Sequence, residues 1–66
     1  MEIENRRLTE CKDGNSVVWD VADGREIVYI KFMDDRGEAN RDILLETDSY
    51  KKAEQVYQNA KEYMED

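Results

Sequence analysis

Sixty-six residues make one domain near the lower size limit for independent folding, since so short a chain buries only about 60% of its unfolded surface. One cysteine, Cys11, and no histidine exclude an intrachain disulfide, a Cys/His zinc site and any Ser-His or Cys-His nucleophile. Seventeen acidic against ten basic residues give a net charge of −7, which opposes phosphate backbones and anionic membranes and favours basic surfaces.

Met1 to Asn5 carries only Ile3 as an apolar anchor and is expected to fray. Arg6 to Lys12 reads as a weak first strand with Leu8 as its one strong apolar residue. Asp13-Gly14-Asn15 then signals a tight turn, and Ser16 to Val21 reads as a second strand with Val17, Trp19 and Val21 on one side. Asp23-Gly24 is the clearest hairpin signal. Beyond it Glu26 to Met33, EIVYIKFM, has the β-branched and aromatic content of a strand with both faces in contact. A polar loop, Asp34 to Asn40, precedes a fourth strand over Arg41 to Glu46. From Asp48 to Asp66 the period changes. Tyr50, Ala53, Tyr57, Ala60 and Met64 recur at helical spacing, with Thr47, Asp48 or Ser49 as N-cap.

These elements predict an α+β fold, a four-stranded antiparallel meander with one C-terminal amphipathic helix packed on one face. A two-residue turn at Asp23-Gly24 sets Trp19 opposite Val28 and Val17 opposite Ile30. An even loop centred on Arg36-Gly37 places Ile43 opposite Ile30, Leu45 opposite Val28 and Lys31 opposite Asp42. An odd loop instead turns Asp42 towards the core, so the even loop is expected. A turn at Asp13-Gly14 sets Leu8 beside Trp19 and Arg7 beside Asp20.

The helix has one apolar stripe and covers one face, that of Leu8, Trp19, Val28, Leu45, Val17, Ile30, Ile43 and Phe32. The other face is then left bare. Thr9, Val18, Tyr29 and Leu44 form its central row, with Ile27 and Met33 adjoining. A patch of Val18, Ile27, Tyr29, Met33 and Leu44 exceeds what scattered exposed hydrophobes produce and marks a binding surface, with Tyr29 at its centre as a hot spot. A second candidate is the helix charge pattern. Lys51 and Lys52 open the helix while Glu62, Glu65 and Asp66 close it, each at the end its dipole disfavours, as if to present carboxylates to a basic partner.

Catalysis finds no support, because the many carboxylates lack an enclosed site that would shift their pKa. No Gly-rich loop leads into a helix to cradle a phosphate, and Asp34, Asp35, Glu38 and Asp42 lack EF-hand spacing. No cofactor or metal is expected. The lone thiol, and the lack of a leader-like or membrane-length apolar run, suit a cytoplasmic protein.

Three strands, a tryptophan and the Thr-x-x-x-x-x-Ala approach to a helix, Thr47 to Ala53, resemble the arm-site DNA-binding domains of tyrosine recombinases. That resemblance implies a basic sheet presented to DNA, whereas this sheet has mixed charge on an acidic chain, so it assigns no family. In size, acidity and lack of catalytic groups the chain resembles inhibitors and accessory factors of phages and mobile elements, anti-defence proteins included. The expectation is a non-enzymatic protein-binding module that docks on a larger protein, one with a basic or nucleic-acid-binding surface. The alternative is a homodimeric assembly adaptor using the bare sheet face.

Overall fold

The computed structural model describes residues 3–10 and 14–64, and of residues 3–6, 10 and 64 the backbone only. The described chain is a meander of β1 (Ile3–Glu10), β2 (Ser16–Ala22), β3 (Arg25–Met33) and β4 (Ala39–Thr47), followed by α1 (Tyr50–Met64). The sheet order is β1-β2-β3-β4, all antiparallel, as the alternation and turn signals predict. β1 begins at Ile3, paired with Ala22, so the strand reaches back beyond Arg6 into the stretch expected to fray. Cys11, Lys12, Asp13, Glu65 and Asp66 lie outside the described residues.

The β2–β3 hairpin follows the sequence directly. Asp23 and Gly24 have φ of 53° and 75°, the paired left-handed conformations of a type I′ turn. Aspartate tolerates that region and glycine adopts it freely. Trp19 accordingly faces Val28, and Val17 faces Ile30.

The other two hairpins depart from the expected register. Between β3 and β4 the loop is odd, made of Asp35, Arg36 and Gly37. The Asp34 amide donates to the Glu38 carbonyl at 2.9 Å, and the Gly37 amide donates to the Asp34 carbonyl at 3.0 Å. Gly37, at φ 81°, supplies the left-handed residue that a three-residue hairpin loop requires. The Asp34 side chain locks the turn. Its Oδ1 accepts from the Arg36 and Glu38 amides, each at 2.9 Å, and its Oδ2 accepts from the Asn40 side-chain amide at 3.1 Å.

The strands therefore leave the turn with Lys31 opposite Arg41, Ile30 opposite Asp42 and Tyr29 opposite Ile43. A bulge then leaves Leu44 unpaired and restores Leu45 opposite Val28. The expected pairs Ile43–Ile30 and Lys31–Asp42 do not form. Asp42 does turn to the helix side, as an odd loop requires, but it is exposed there, so its charge is not buried.

On the other flank Arg7, not Leu8, lies opposite Trp19, and Leu8 lies opposite Val18. Glu10 pairs with Ser16, again leaving an odd number of residues in the connection. This one-residue slip exchanges the faces of Leu8 and Thr9. Thr9 Oγ1 and the Tyr57 hydroxyl share a 2.7 Å hydrogen bond beneath the helix. The Arg7 guanidinium lies over the Trp19 indole, 4.3 Å from its centroid, and Nη2 donates to the Tyr50 hydroxyl at 3.4 Å. Arg7 Nη1 is buried without a hydrogen-bond partner, and the indole face is what compensates it.

α1 packs on this side. Val17, Trp19, Val28, Ala53 and Tyr57 form the buried core, with Val56 and Ala60 against it. Ala53 lets the helix axis approach bulky sheet residues, and Trp19 meets the Tyr50 and Tyr57 rings at centroid distances of 5.0 and 5.6 Å. Ser49 is the N-cap, its Oγ accepting from the Lys52 amide at 3.3 Å, while Thr47 Oγ1 accepts from the Ser49 amide at 3.1 Å.

The Asp34 clamp predicts a pH dependence. The Glu38 amide above all, then the Asn40 side chain and, more weakly, the Arg36 amide hold the Asp34 carboxyl below the usual aspartate range, against a partial opposing effect of burial. A depressed folded-state value means the stabilisation is complete above the unfolded-state value and is lost as pH falls through the folded one. Asp34→Ala is expected to lower the urea midpoint at neutral pH, and that difference should vanish on acidification through the carboxylate range. An undiminished difference in acid would show that the carboxylate charge does not hold the turn.

Candidate protein-docking face

Strand alternation sends Leu8, Val18, Asp20, Ala22, Ile27, Tyr29, Lys31 and Met33 to the face away from α1, and the β4 register adds Ile43 and Arg41. Residues at the centre of this face, flanked by strands on both sides, are deep. Val18 is 2% exposed and Tyr29 6%. Residues at the strand ends and on the outer strands are open, with Leu8 59%, Met33 54%, Ile43 51% and Leu44 41% exposed. Ile27 is half-buried.

The surface is thus a rim of three large apolar side chains, Leu8, Met33 and Ile43, around a closed floor. Of the residues expected to bind, Met33 stands in the rim, Ile27 lies partway down, Val18 and Tyr29 are the floor, and Leu44 is the exposed, unpaired residue of the β4 bulge. Leu8 and Ile43 join the rim because of the two register shifts. The β3–β4 shift could have been found from the Gly37 position, since a glycine closing a three-residue loop is the usual sign of an odd hairpin.

The floor is polar at one point. The Tyr29 hydroxyl donates to Asp20 Oδ2 at 3.0 Å, and both residues are buried. Above the ring, the Arg41 guanidinium lies 5.5 Å from the centroid. Lys31 stands directly opposite Arg41, and both are exposed. At the far end of the face Arg25 Nε and Glu46 Oε1 form a half-exposed ion pair at 3.4 Å. The rim pairing expected between Lys31 and Asp42 is replaced by two adjacent cations.

Glu62 belongs to α1, the layer on the opposite side of the sheet, and does not join this face. Its expected companions Glu65 and Asp66 lie outside the described residues. Both edges of the sheet are irregular, β1 between Ile3 and Asn5 and β4 at Leu44. Bulged edges resist pairing with a further strand, so the face rather than an edge is the surface open to a partner. Among the described residues no helix is long and apolar enough to cross a membrane, and no group of three or more Cys, Asp or Glu side chains converges to hold a metal ion. No family model, curated protein or solved structure matches the chain.

Proposed function

We propose that the chain is a non-enzymatic protein-binding module that docks on a larger protein through the sheet face left bare by α1. One observation carries the reading, the exposure of Leu8, Met33 and Ile43 together on a single face. Scattered exposed hydrophobes are ordinary, but three gathered around a packed floor form the kind of patch that marks an interaction site. Charged residues at its margin, Arg25, Lys31, Arg41 and Glu46, supply the polar rim that such interfaces have. The lack of histidine and the single cysteine support a role without chemistry of its own. A module whose asset is one face acts by occupying a partner's surface, as an accessory or inhibitory factor does.

Site-specific photocrosslinking tests this in the cells that make the protein. A benzophenone side chain at Met33 or Ile43 is expected to give a covalent protein adduct, and one at Gln58 on the outer side of α1 is not. The crosslinked protein, purified, should bind the unmodified chain and lose affinity for Ile43→Asp. Adducts from Gln58 alone, or from no position, would move function off this face. An adduct of twice the chain's own mass would favour the homodimeric reading.

A further inference from the structure

We infer that the bare sheet face takes an acidic segment of a partner protein, one whose carboxylates flank apolar side chains, with Arg41 as the anchor for a carboxylate. The inference rests on the docking reading above and adds the partner's chemistry. Net charge points the other way, towards a basic partner, but an interface responds to the charges within about 10 Å of it rather than to the whole chain. On this face Asp20 is buried against the Tyr29 hydroxyl and Glu46 is matched by Arg25, which leaves Lys31 and Arg41 as exposed charges without an ion-pair partner among the described residues.

Lys31 and Arg41 are direct cross-strand neighbours. Like charges in that arrangement destabilise a sheet, and among the described residues neither has a carboxylate within ion-pair distance. Asp42, the nearest acidic residue in sequence, pairs with Ile30 and so points to the other side of the sheet. The Arg25–Glu46 pair is at the far end of the face and is already matched. What remains among the described residues is a pair of unmatched cations beside the exposed Met33 and Ile43.

Arg41 is also positioned in advance. Its guanidinium lies over the Tyr29 ring, and that ring is fixed from below by the hydroxyl's bond to buried Asp20. A guanidinium held by stacking keeps its N–H fork available for bidentate bonds to a carboxylate, and less side-chain freedom is lost on binding. Apolar side chains of the same segment would cover the rim. A second copy of this chain fits less well, since two bodies of charge −7 approach each other and each adds its own Lys31 and Arg41 to the contact.

The test uses the whole chain, labelled with nitrogen-15, and two synthetic peptides of equal length and equal leucine and phenylalanine content. One carries glutamates around the apolar positions and the other lysines. The acidic peptide is expected to shift the amide signals of Lys31, Met33, Arg41, Ile43 and Leu44 and to weaken with added salt. Arg41→Gln and Lys31→Gln should each reduce its affinity about tenfold, the effect of losing one charge-assisted contact. Both positions are exposed, and circular dichroism on the same samples checks the fold. Equal or tighter binding of the basic peptide, tighter binding of a single-stranded oligonucleotide, or no binding of the acidic peptide would overturn the inference. So would a wild-type dimer in sedimentation that Ile43→Asp dissociates, which would assign the face to a second copy. Photoadducts at Met33 and Ile43 would still uphold the docking face if the acidic peptide failed, so the two readings fail separately.

Discussion

Trp19→Ala is expected to abolish cooperative folding. Truncating a buried large aromatic costs about 3–5 kcal/mol, and a chain of this length has about 3–10 kcal/mol in total. Trp19 is 2% exposed and is the largest side chain of the core. Its loss has two further consequences. The indole Nε1–H donates to Glu26 Oε1 at 2.9 Å in a buried bond, so the variant leaves a buried carboxylate without that donor, which adds about 1–3 kcal/mol. Arg7 would also lose the ring on which its guanidinium lies. Trp19→Phe keeps a ring but not the N–H, and should fall between wild type and alanine. Thermal unfolding followed by circular dichroism reads all three. A midpoint for Trp19→Ala within about 5 °C of wild type would correspond to about 1 kcal/mol or less, and would show that the helix does not depend on this contact.

How far the sequence disclosed this arrangement depends on which turn set each register. Asp23-Gly24 admits one tight geometry, so the Trp19–Val28 and Val17–Ile30 pairs could be read without coordinates. Asp34 to Asn40 offered two parities. The even one keeps Asp42 out of the core, but only on a ladder without interruption. The chain instead forms the odd loop that Gly37 and the Asp34 carboxylate stabilise, then corrects itself with the bulge at Leu44. Leu8 misled for a different reason. Hydropathy assigns the apolar residue to the core and the arginine to water, but a guanidinium can lie on an indole and bury its stem beside it. Arg7 does so, and Leu8 faces out.

The sheet face away from α1 is legible in membership but not in depth. Alternation along β3 placed Ile27, Tyr29 and Met33 together, and the Asp23-Gly24 turn brought Val18 beside Tyr29. Period two tells which side a residue faces and nothing about how far its neighbours rise around it. Tyr29 is therefore part of the packed floor, not a projecting hot spot, while Met33 near the strand end projects. The position of Arg41 over Tyr29 follows only from the odd register, which the hydropathy pattern alone does not select.

That difference in depth sets the second large effect. A glutamate at the centre of a solvated patch would leave the fold intact and disrupt binding alone, but the position of Tyr29 forbids this outcome. Tyr29→Glu would put a second carboxylate next to buried Asp20, remove the hydroxyl that donates to Asp20 Oδ2, and replace an aromatic ring at a site 6% exposed. Loss of buried aromatic packing alone costs about 3–5 kcal/mol. Placing two carboxylates together away from water adds to it, so one of them must take up a proton or the chain must open. The expected result at neutral pH is an unfolded or largely unfolded chain by circular dichroism. Ile43→Asp is the matched control. Ile43 lies directly opposite Tyr29 on the same face but is half open to solvent, and the substitution should change stability by less than about 1 kcal/mol while removing partner binding. If Tyr29→Glu folds as stably as Ile43→Asp, the floor is not packed as described and the distinction between floor and rim collapses.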